Sequence, residues 1–181
     1  MRLPLLAALT ALSLGLAAPV LADETLLTGE MRRFAMAEDR PAVPGDILFA
    51  DMDGPDRKLA DFAGRPVVLN FWATWCAPCR AEMPSLDRLR AQMGDEVAVV
   101  TLASGRNPPQ AVAKFFAETG ITQLPRYLDP RQDLARAMGV FGMPVTVLID
   151  AEGHEVGRLT GDAEWDSPEA VALIRSLLPP G

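Results

Sequence analysis

Apolar positions along the chain fall into short unbroken runs that alternate with stretches of helical period, and this alternation predicts an α/β architecture. The run Val67-Val68-Leu69, continued by Phe71 and Trp72, has the length and chemistry of a buried strand. Behind it, Met83, Leu86, Leu89 and Met93 recur at helical spacing among Arg80, Glu82, Asp87, Arg88 and Arg90. That spacing predicts a helix over 77–93, with Gly94 as its stop. A β-branched run predicts a second buried strand over 97–102. Asn107-Pro108-Pro109 then opens a helix whose apolar face is Val112, Phe115 and Phe116, ending at Gly120.

The pattern continues with a short strand at 124–128 and a short helix at 132–138. A strand introduced by Pro144 turns at Glu152-Gly153 into a partner strand over 155–160. An amphipathic helix over 168–178 closes the chain. Upstream of Val67, 26–38 is compatible with a helix, and Arg40-Pro41-Ala42-Val43-Pro44-Gly45 reads as a stiff linker. The apolar pieces 47–49 and 58–59 flank Asp51-Met52-Asp53-Gly54, where Asp-Gly signals a β-hairpin; one helical turn over 59–62 follows, ended by Gly64. Together these elements predict a central mixed β-sheet with helices on its faces.

The extreme N-terminus has a different pattern. Met1-Arg2 precedes a Leu- and Ala-rich run to Ala22, and Val20-Leu21-Ala22 carries small residues at cleavage-site spacing, so 1–22 reads as a signal peptide. An uncleaved anchor is the alternative, since the run approaches the ~20 residues that span a bilayer. No cysteine follows the run, which excludes a lipoprotein anchor. Either way the folded part is expected outside the cytoplasm. The organisation expected is 1–22 as signal, 23–45 as an N-terminal helix and linker, and 46–179 as one folded domain.

Composition narrows the partners. Of 181 residues 49% are apolar and 23% charged, which suits a single globular domain. The net charge of −7, with no Lys/Arg run, excludes a nucleic-acid partner.

The candidate chemistry lies in Trp75-Cys76-Ala77-Pro78-Cys79, which holds the only two cysteines. A bridge closing so small a loop adds little stability, so the pair is expected to be reactive. Three apart at a helix start, the two sulfurs share a face and can join and part. Cys76 at the helix N-terminus is the expected attacking thiolate, because unpaired N–H groups and the macrodipole favour the anion there. Cys79, one turn inside, is the expected resolving sulfur. Pro78 suits the first turn, and Trp75 and Trp72 are expected to shield the pair and shape a docking surface. The expected reaction runs through a mixed disulfide. Zinc would need ligands beyond this pair and the single His154, so no metal and no other cofactor is expected. Cu(I) held by the two thiolates stays open as an alternative, a copper chaperone.

Trp75-Cys76-Ala77-Pro78-Cys79, with Phe71-Trp72-Ala73 before it and Gly142-Met143-Pro144 later, resembles the thioredoxin superfamily. The longer stretches NFWATWCAPCRAEMP and GVFGMPVTVLID look like the TlpA/ResA-type extracytoplasmic disulfide reductases. That resemblance implies a thioredoxin-like fold with an N-terminal β-hairpin and a helix–strand insertion at 108–128. It implies that Pro144 is a cis-proline facing the dithiol, with Met143 beside it on the docking surface. Asn70 stands where ordinary thioredoxins bury an acid, and Glu82 matches an acidic residue near the dithiol that would manage the proton of Cys79. The other possibility for Glu82 is a solvated helix residue paired with nearby arginines. Val145 departs from the cytochrome c-maturation reductases of the CcmG type, which carry an acid there. A peroxiredoxin is excluded, because Leu69 and Ala73 occupy that family's Pro and Thr/Ser positions. The resemblance further implies a monomeric periplasmic reductase. Its substrates would be oxidised protein dithiols in cytochrome c or copper-site assembly, and its electrons would come from a membrane-embedded thiol donor.

Overall fold

The structure, a computed structural model, describes residues 24–179. The expected signal segment, 1–22, lies outside the described residues. Among those described, no helix is long and apolar enough to cross a membrane.

Among the described residues, seven strands form one mixed sheet. In chain order they are β1 (Ala35–Met36), β2 (Ala50–Asp51), β3 (Val67–Trp72), β4 (Ala98–Ser104), β5 (Tyr127–Asp129), β6 (Val145–Ile149) and β7 (Glu155–Thr160). Their spatial order is β1-β7-β6-β3-β4-β5-β2. Strands β3, β4 and β5 run parallel, while β6, β7, β1 and β2 join antiparallel. The helices are α1 (Ala77–Met93), α2 (Pro109–Thr119), α3 (Asp133–Ala137) and α4 (Pro168–Arg175).

The centre of the sheet follows from the apolar run read in the sequence. Every residue of β3 is buried, because strands lie on both sides and packed layers cover both faces. Side chains alternate across a strand. Val68 and Trp72 therefore join the layer containing α1, α2 and α4, and Val67, Leu69 and Phe71 join the layer with α3 and the 3-10 turn Leu59–Phe62. By the same alternation the polar residue Asn70 faces α1. The parity of one strand thus sends an amide into the apolar layer beneath the dithiol.

Helix α1 begins and ends where local chemistry dictates. Cys76 is its N-cap, its sulfur accepting from the Cys79 backbone N–H at 3.3 Å, and Pro78 lies in the first turn where no helical N–H is needed. Gly94 closes it with φ +57°, a left-handed angle that side chains disfavour. The buried face carries Met83, Leu86, Leu89 and Met93, each contributing about 1.5–3 kcal/mol by leaving water.

The helix expected over 26–38 is absent. That stretch forms 3-10 turns at Glu24–Leu26 and Gly29–Arg33 and then β1, which pairs with β7. Met31 and Phe34 are buried in the α1–α4 layer, so tertiary contact overrides the weak local helix signal. The expected hairpin is also reduced: its arms meet in a single Phe49–Arg57 bridge. Strand β2 pairs with β5 instead, and Met52 N–H donates to the Arg126 carbonyl. The insertion is present as α2 and β5, linked to β4 in parallel.

Candidate active site

Cys76 and Cys79 are joined as a disulfide at the start of α1, with Cα atoms 5.3 Å apart. Cys76 is 7% exposed and Cys79 is fully buried, the asymmetry expected of an attacking and a resolving sulfur. The turn that delivers Cys76 is held from the loop between β4 and α2. Asn107 Oδ1 accepts from the Thr74 N–H at 2.8 Å and from the Thr74 hydroxyl at 2.9 Å, and Asn107 Nδ2 donates to the Ser104 carbonyl. In the sequence Asn107 marked only a helix start.

Pro144 lies opposite. The Met143–Pro144 peptide is cis, and the Met143 carbonyl oxygen is 3.7 Å from the Cys76 sulfur. The Pro144 carbonyl accepts from the Gly161 N–H at 2.9 Å, which ties this loop to the end of β7. Around the dithiol, Trp75 is 68% exposed, Pro78 is exposed and Met143 is half-buried. Phe141 is 90% exposed just before Gly142-Met143-Pro144. It is an aromatic side chain in water beside the site, a position that the sequence pattern did not distinguish from a core residue. Trp72 is not part of this surface: it is buried against Phe115 and Phe116 and backs the dithiol from inside.

Glu82, one turn beyond Cys79 on the same helix face, is 2% exposed and, among the described residues, pairs with no arginine. Asn70 Nδ2 donates to its Oε1 at 2.8 Å and to Thr146 Oγ1 at 2.9 Å. The Ala163 N–H (3.2 Å) and the Trp165 indole N–H (3.0 Å) both donate to Oε2. Burial pushes the carboxyl up to about 7, against the pull of Trp165, Asn70 and Ala163, and the negative charge of Asp162 adds to the upward push. A carboxyl poised near neutrality one helical turn from a buried thiol can take and return a proton. Its donors lie 12 to 83 residues away in sequence, and no local signal marks Ala163 or Trp165. Asn70 and Glu82 share one hydrogen-bonded cluster, and His154 lies apart from it, 3.6 Å from Asp150.

A mixed sheet of this order, with a Cys-x-x-Cys disulfide at a helix start facing a cis-proline, defines a thioredoxin-like redox domain. The Redoxin family model matches residues 35–174, and the chain belongs to that family. It is 35% identical over 119 residues to the thiol-disulfide oxidoreductase ResA of Geobacillus thermodenitrificans, covering 64% of this chain and 66% of that protein. It is 32% identical over 109 residues to the thioredoxin-like protein YneN of Bacillus subtilis, covering 60% and 64%. The matched part thus spans just under two thirds of these relatives. Among solved structures, the exposed lipoprotein thioredoxin Etrx1 of Streptococcus pneumoniae superposes with TM-score 0.61 at 30% identity, over 72% of this chain and 96% of that one.

Proposed function

We propose that the protein is a thiol–disulfide oxidoreductase that reduces protein disulfides outside the cytoplasm, working as a monomer. One observation carries this reading: Cys76, the more exposed of the two sulfurs, is bonded to a fully buried Cys79 beside a buried carboxyl that titrates near neutrality. The ResA and YneN likenesses support it.

In the reduced protein the Cys76 thiolate attacks one sulfur of a substrate disulfide. A mixed disulfide forms and the first substrate thiolate leaves. Glu82 then takes the proton of the Cys79 thiol, and the Cys79 thiolate attacks Cys76 Sγ. The second substrate thiolate leaves and the Cys76–Cys79 bond forms. Two electrons pass from the dithiol to the substrate, and the released thiolates take up protons from solvent. Trp75, Pro78, Met143 and Phe141 form the apolar surface on which the substrate chain rests, and the Met143 carbonyl sits where its backbone passes Cys76. Electrons return from a membrane-embedded thiol donor. The resemblance to TlpA/ResA-type reductases supports acceptors among cytochrome c and copper-site assembly proteins, and the pattern of 1–22 supports a periplasmic address.

Trapping tests this directly. Cys79→Ser is expected to leave Cys76 covalently bound to its substrate, while Cys76→Ser is expected to trap nothing. A titration against glutathione is expected to give a reducing potential. A strongly oxidising one would overturn the direction proposed.

A further inference from the structure

Glu82 is held by a segment with no chemistry of its own, the loop 161–166 between β7 and α4. Two of the three donors to its carboxylate come from there, and both converge on Oε2. The loop is pinned on several sides. Arg33 donates to the Asp162 carbonyl at 2.6 Å, the Glu164 N–H donates to Glu30 Oε2 at 2.8 Å, and Arg88 on α1 pairs with Asp166 and Glu164. Ser85, also on α1, accepts from the Trp165 backbone N–H at 3.0 Å. Trp165 is fully buried, and its only polar side-chain atom is aimed at the carboxylate.

We infer that Trp165 is a positioning residue that acts on the dithiol through Glu82: its indole N–H, backed by the pinned loop, stabilises the charged form of the group that takes the proton of Cys79. The proposal rests on the reading of Glu82 given above. The indole is a donor only, so it serves the carboxylate and has nothing to accept from the protonated acid. The Asn70 amide differs, because it also carries an acceptor, Oδ1, buried with no hydrogen-bond partner among the described residues, and a turn of the amide about its terminal bond presents that acceptor once Glu82 carries a proton. Asn70 therefore tolerates both protonation states and Trp165 favours one. Thr146 on β6, which accepts from Asn70, is neutral, and the negative charge of Asp162 opposes ionisation. Glu164 and Asp166 are engaged by Arg88. Without the indole donor, burial and Asp162 meet less opposition, and the acid holds its proton to higher pH.

The test uses the whole protein. In oxidised wild type, the indole ¹⁵N–H resonance of Trp165 is expected to titrate with a midpoint of about 7, and to lose that titration in Glu82→Gln. In Trp165→Phe, the pH profile for resolution of a preformed Cys76 mixed disulfide is expected to move up by about one pH unit, the worth of one hydrogen bond to a charged group. An indole resonance that does not respond between pH 5 and 9 overturns the proposal on wild-type protein alone, whatever the variant's folding. A Trp165→Phe profile superimposed on wild type, with Glu82→Gln displaced, overturns the role of Trp165 alone. Profiles of both variants superimposed on wild type overturn the reading of Glu82 beneath it.

Discussion

At the scale of single residues, the raised proton affinity of Glu82 ties stability to pH. Its carboxyl titrates at about 7 in the folded protein against an ordinary value of 4.5. Between those values the folded state holds a proton that the unfolded chain has released, so stability falls as pH rises through that window. The loss amounts to on the order of 3 kcal/mol by pH 8. Urea unfolding of the oxidised protein at pH 5 and pH 8 is expected to show Glu82→Gln losing most of the difference that this group gives wild type. The Glu82→Gln variant is also expected to flatten the pH dependence of Cys79 alkylation in the reduced protein; an unchanged profile would remove Glu82 from the proton path. Phe141 belongs to this scale too. As it is 90% exposed and touches neither sulfur by any hydrogen bond, Phe141→Ala is expected to weaken turnover of a protein substrate several-fold through KM. Reduction of a small disulfide, which needs no docking surface, is expected to be unaffected.

At the scale of elements, the insertion is fastened to the redox helix by one carboxylate. Asp87 on α1 accepts from the backbone N–H groups of Thr122, Gln123 and Leu124, the last two at 2.7 and 3.0 Å. Its position is legible as a polar residue on α1, but its partners follow α2 and could not be named from sequence. Asp87→Ala is expected to cost about 1 kcal/mol, because the freed N–H groups are mostly reachable by water. Amide exchange at 122–124 is expected to accelerate while the α1 core is unchanged. The elements themselves were legible wherever local stereochemistry sets the boundary. Cys76, Pro78 and Gly94 delimit α1, and Gly120 closes α2 at φ +69°. The hairpin misled because its turn signal is local while the pairing of its strand is not. The Asp51 carboxylate accepts from the Asp53 N–H, so the turn forms, but the backbone of β2 is already engaged by β5.

At the scale of the whole molecule, the N-terminal segment closes one edge of the sheet and is part of the fold. Met31 and Phe34 enter the same apolar layer as Cys76, Cys79 and Trp165. Their seat depends on Gly157, where an added Cβ would overlap the Ala35 carbonyl oxygen and the Phe34 ring. Gly157→Ala is expected to release β1, exposing residues 24–37 to proteolysis and lowering the melting temperature by several degrees. Proteolytic resistance equal to wild type would show that β1 does not depend on this gap.

What the amino-acid order determined alone is everything written in short-range chemistry: the buried strand β3, the helix behind it, the Cys-x-x-Cys pair at its start and the proline before β6. Residue type and spacing act within a few bonds there, so each signal is complete in its own stretch. Tertiary structure decided what depends on residues far apart in the chain. It turned Asn70 and Glu82 toward each other across two elements and brought Ala163 and Trp165 to the same carboxylate. It also withdrew Trp72 into the core, left Phe141 in water and folded 24–36 onto α4 and β7. Burial, and with it the proton affinity of Glu82, is a property of that assembled environment and is carried by no local run of the sequence.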